Sequence, residues 1–136
     1  MKRSIAAFLA ALITWTLVAT LFNRALRYGF AGYAAAEPNM AFTLGMMFAR
    51  LLMGAVSSLA AGAVMALIAP NSTRTPWVFG VLVLALFIPS HIQLWPLFPV
   101  WYHLTFLVTL VPWVILGWHL LKMRQPNAQI AASNSI

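Results

Sequence analysis

Few residues in this chain are equipped for chemistry, and the scarcity is itself informative. Among 136 residues there are eight Lys and Arg, three histidines, a single acid, Glu37, and no cysteine. Without cysteine there is no thiolate ligand and no cysteine nucleophile, and one carboxylate gives no acid–base pair. General acid–base work would fall to histidine and tyrosine alone, and no serine sits in a nucleophile-elbow pattern. An enzyme is therefore not expected. A metal needs three or four ligands, more than His91 and His103 supply. A porphyrin between two histidines would not fit adjacent helices about 8–10 Å apart. Neither metal nor cofactor is expected.

What remains is a set of binding groups. Arg50 lies inside an apolar run, where an arginine costs roughly 2.5–3.5 kcal/mol on insertion scales and is a functional candidate by default. At about 100° per residue, Asn39, Thr43, Arg50, Gly54, Ser57 and Ala61 fall near one line of a helix. His91 and His103 flank a short proline-bounded connection at similar depth, with Tyr102 beside the second. Arg50, His91, His103, Tyr102, Thr43 and Asn39 form the expected ligand-binding set, a basic vestibule suited to an anionic head group, a carboxylate or a quinone-like ring. The competing expectation is interfacial: Arg50 reaches out to lipid phosphates, and the histidines bond carbonyls freed by Pro89 and the connection.

These groups must be positioned by membrane helices. The chain is 63% hydrophobic and 7% charged, against roughly 25% charged residues in soluble domains. Its net charge of +7 is scattered at the ends of apolar runs with no basic stripe, which excludes nucleic acid as the partner and points to membrane lipids. Four spans are expected, at about 4–27, 39–69, 76–94 and 99–122, with residues 125–136 a disordered polar tail. The fold class is all-α, an integral membrane protein of four transmembrane helices in an antiparallel bundle. The first run is read as a retained helix rather than a signal peptide, because Ala34-Ala35-Ala36 lies well past the apolar stretch. Small residues at Gly54, Ser58 and Gly62 recur every fourth position and mark a helix-packing face. Glu37 is expected to pair with Arg24 or Arg27 rather than with Arg50. Trp15 is expected to find its hydrogen-bond partner in Thr14, Thr16 or a loosened carbonyl.

The bias of basic residues puts Lys2, Arg3, Arg74, Lys122 and Arg124 inside, and hence both termini in the cytoplasm. Trp95, Trp101 and Tyr102 then fall at the outer interface, Trp77 and Trp118 at the inner one.

The run Phe98-Pro99-Val100-Trp101-Tyr102-His103-Leu104, followed by Pro112 and Gly117, resembles small uncharacterised four-helix inner-membrane proteins of bacteria. The resemblance implies a four-helix architecture and a bacterial inner-membrane location, and supplies no activity. By size the chain is also similar to the small multidrug resistance transporters, but those require a glutamate embedded in the first helix, which this chain lacks. The leading expectation for function is an accessory or interaction protein that associates through the small-residue face of the second span, as a homo-oligomer or with a larger membrane-protein partner. The alternative is a small transporter, or a lipid- or quinone-like ligand-binding protein, with an outward-facing basic vestibule.

Overall fold

In hydrocarbon no water is available to the backbone, so long apolar runs close their hydrogen bonds within the segment, as helices. The computed structural model describes the backbone of residues 2–133 and the side chains of residues 2–124. Its elements are α1 (Lys2–Gly29), the single-turn α2 (Tyr33–Ala36), a 3-10 turn (Glu37–Asn39), α3 (Leu44–Ile68), α4 (Arg74–Gln93) and α5 (Val100–Ser133). Lys2–Gly29, Leu44–Ile68, Arg74–Gln93 and Val100–Arg124 are each long and apolar enough to cross a membrane. The fold is all-helical, and the four long helices pack against one another as an antiparallel up-and-down bundle.

α3 is the centre of the packing, with α1 along one side and α5 along the other, and α4 lies against α5. α3 and α5 run parallel, since Arg50 meets Tyr102, Gly54 meets Phe106 and Gly62 meets Val114 at nearly constant offset. α1 and α4 stand further apart and meet through rings, Phe8 on Phe79 with centroids 5.3 Å apart and Trp15 on Phe87 at 5.1 Å.

The closest approach is between α3 and α5. A methyl group added at Gly62 would collide with the Val114 carbonyl oxygen, and one added at Gly117 would collide with the Leu59 carbonyl oxygen. At Gly54 it would stand 2.8 Å from the Phe106 ring. Ser58, fully buried, accepts a hydrogen bond from Trp15 Nε1 of α1 at 3.1 Å. The bond to Trp15 thus comes from a neighbouring helix, not from Thr14 or Thr16, whose hydroxyls donate to Ala10 and Leu12 carbonyls. The small-residue face of α3 is used inside the chain, where dispersion between closely approaching backbones replaces the hydrophobic drive that lipid cannot supply.

Two boundaries differ from the sequence expectation. The second span begins at Leu44 instead of 39, because Met40 adopts a left-handed conformation (φ 54°) that breaks the chain direction, and Thr43 caps the new start by accepting from the Met46 N–H at 3.4 Å. Its 25 residues then cover about 37 Å, which suits the bilayer with modest tilt. α5 continues through Pro126 to Ser133 rather than ending near 122, in a stretch whose Met, Arg, Gln and Ala residues favour helix. The last part of the expected tail, 134–136, lies outside the described residues.

Candidate functional site

One end of the bundle, where α1 and α4 finish and α3 and α5 begin, gathers the polar side chains. Arg50 sits six residues after Leu44, about 9 Å along α3 from its start. Its Nε donates to Tyr102 Oη at 3.3 Å, its Nη1 donates to Tyr33 Oη at 2.9 Å, and its guanidinium lies 4.6 Å from the Phe42 ring centroid. No carboxylate pairs with it among the described residues. The ion pair among the described residues is Arg27 Nε to Glu37 Oε2 at 3.1 Å. Arg50 is therefore a half-buried cation held by two phenols and an aromatic face, arrangements that orient a guanidinium without neutralising it.

Tyr33 has no counterpart in the sequence expectation, yet it connects the loop to the core. Gly32 takes a left-handed conformation (φ 80°), open to glycine at little cost, which folds α2 back and buries the Tyr33 ring completely. Tyr33 Oη donates to Asn23 Oδ1 at 2.8 Å, and Asn23 Nδ2 donates to Glu37 Oε1 at 3.0 Å. A chain of hydrogen bonds thus runs from Arg27 through Glu37, Asn23 and Tyr33 to Arg50. The sequence offered one signal, a tyrosine among glycines and alanines in a connection, and no periodicity to tie it to Arg50.

His91 closes α4 and His103 lies in the first turn of α5. Their Nδ1 atoms are 2.8 Å apart, so one ring donates and the other accepts. They bond each other rather than carbonyls freed near Pro89. His103 is fully buried, stacked on Trp95 with centroids 4.8 Å apart, and its Nε2 has no hydrogen-bond partner among the described residues. His91 packs on Phe106 at 4.8 Å.

Arg50, His91 and Tyr102 line a common pocket of about 210 Å³ together with Trp15, Phe87 and Phe98, at the meeting of all four long helices. Thr43 and Asn39 do not join it. Both are exposed, Thr43 because its hydroxyl is spent on the cap, and Asn39 because it belongs to the 3-10 turn and not to α3. His103 stands behind His91 and outside the lining. Three larger hollows stand apart from these groups: one of about 400 Å³ between α3 and α5 and one of about 650 Å³ between α1 and α4 at the opposite end, both mainly apolar, and one of about 250 Å³ lined by Arg24, Arg27, Tyr28 and Ala34. Among the described residues no three His, Asp or Glu side chains converge as a metal site would require.

The chain was compared with known proteins. It matches no family model, no curated protein and no solved structure. Any functional reading therefore rests on the geometry of the site.

Proposed function

We propose that this is a small multi-pass membrane protein that binds an amphipathic ligand by its oxygen-bearing head, in the pocket lined by Arg50, His91 and Tyr102. One observation carries the reading: a half-buried guanidinium lines an aromatic pocket and has no carboxylate partner among the described residues. A buried cation without a counter-charge is costly, and an anionic or carbonyl oxygen would supply the missing acceptor. The pocket of about 210 Å³ is below the roughly 300–1,000 Å³ that encloses a drug-sized ligand. It suits a head group, with an apolar tail left among lipids. The surrounding Trp15, Phe87, Phe98 and Phe106 rings favour a flat or aliphatic neighbour to that head.

Association through α3 is the weaker reading, because Gly54, Ser58 and Gly62 are already covered by α5 and α1. For location we propose a bacterial inner membrane with both termini cytoplasmic. Lys2, Arg3, Arg74, Lys122 and Arg124 share one end of the bundle, against Arg24 and Arg27 at the other. The pocket then faces the outer half of the bilayer.

Binding is tested on the full chain in lipid nanodiscs with two probes, a short-tailed benzoquinone and decanoate, read by tryptophan fluorescence and thermal stability. Saturable binding of either is expected, weakened roughly 10- to 100-fold in Arg50→Leu and less in Arg50→Lys. Binding of the quinone alone assigns a carbonyl head, and binding of decanoate alone a carboxylate. No saturable response from the wild-type protein to either probe, or undiminished binding by Arg50→Leu, overturns the proposal.

A further inference from the structure

The histidine pair bears on which ligand atoms the pocket accepts, an inference that rests on the binding role proposed above. The 2.8 Å contact between the Nδ1 atoms admits one proton between them. Either His91 donates and His103 accepts, or the reverse. If His103 accepts at Nδ1, its own proton must sit on Nε2, and that nitrogen is buried without a hydrogen-bond partner among the described residues. If His103 carries protons on both nitrogens, the same orphan N–H arises, with a buried charge added. Buried N–H groups left unpaired are rarer and more costly than under-used acceptors. The arrangement that avoids one puts the proton of His103 on Nδ1 and leaves its Nε2 bare. His91 must then accept at Nδ1, which fixes a neutral ring whose proton is on Nε2. His91 lines the pocket, and its Nε2 has no hydrogen-bond partner among the described residues.

We infer that His103 is a positioning residue that holds His91 in the Nε2–H tautomer, so that the pocket offers a second donor beside Arg50 and selects ligand heads whose polar atoms are acceptors. His103 touches no ligand in this scheme. Trp95, stacked on one face of its ring, fixes the orientation that the Nδ1 contact needs. Two donors on different helices, Arg50 on α3 and His91 on α4, would grip one carbonyl or carboxylate oxygen, or the two oxygens of a carboxylate.

The tautomers are read directly by ring-nitrogen NMR of the full chain, labelled with ¹⁵N-histidine in nanodiscs without added ligand. His119→Gln and His91→Gln serve to assign the signals. The expected result is a protonated Nδ1 and bare Nε2 on His103, with the opposite on His91. The reverse assignment, or the same tautomer on both rings, overturns the inference. His103→Gln keeps an N–H able to donate to His91 and should preserve the His91 tautomer. His103→Phe should release His91 to a mixture and weaken probe binding about 3- to 10-fold. An unchanged His91 tautomer in folded His103→Phe also overturns it. Because the tautomers are measured without ligand, their failure is separate from failure of the binding proposal, which shows as absent probe binding with the tautomers as expected.

Discussion

Arg50 and the residues around it differ widely in what their loss should cost. Tyr33 is fully buried and holds two bonds, one to Arg50 and one to Asn23. Tyr33→Phe removes the acceptor of a charged donor and should cost about 1.5–3 kcal/mol of stability, measured by chemical unfolding in mild detergent. Glu37→Gln breaks the Arg27 pair, but with the Arg27 side chain 53% exposed it should cost below about 1 kcal/mol. Trp15→Phe keeps the ring contact with Phe87 and loses the bond to Ser58, a cost near 0.6–1 kcal/mol, since interhelical bonds in membranes are modest. At this scale the sequence singled out Arg50, His91 and His103, because a cation or imidazole inside an apolar run stands out by its desolvation cost alone, and the structure places Arg50 against Tyr102 and His91 against His103. The sequence was uninformative about Tyr33 and misleading about Asn39 and Thr43. Angular position on a helix says nothing about residues that precede it, and the left-handed residue at Met40 delays the start of α3 to Leu44.

Between elements, the decisive contacts are those that a single carbon would destroy. Gly62→Ala and Gly117→Ala each place a methyl group into a backbone carbonyl of the facing helix, and each should cost about 3 kcal/mol or cause misassembly, visible as aggregation on size exclusion. Gly54→Ala meets only the edge of the Phe106 ring, which can turn, so a smaller loss is expected. Gly29 meets nothing within 4 Å, and Gly29→Ala should be close to neutral in the same assay. The small positions were legible from their spacing, since Gly54, Ser58 and Gly62 recur at helical period. Their partner was not, because spacing marks a face as fit for close approach without saying which helix approaches. Gly117 gave no such signal, standing alone near the end of its span.

For the molecule as a whole, hydropathy located all four spans, with errors confined to the ends, where caps and turns rather than burial decide. The topology proposed from charge carries a direct test. Reporters active only in the cytoplasm should work when fused after Arg124 or inserted near Asn71, and fail when inserted near Ala31. The opposite pattern would place the Arg50 pocket in the cytoplasmic half. The pocket itself was only partly legible, because its walls come from four helices and its aromatic lining from residues that read as ordinary filler.

The reciprocal fit of Gly62 under Val114 and Gly117 under Leu59 has a mechanical consequence. Two notches facing opposite ways key α3 and α5 together, so neither helix can slide along the other without lifting out of register. Any opening of the bundle must therefore come from α1 or α4 swinging away from that rigid pair, and the passage it creates is a lateral slit on the lipid side, not a bore along the axis.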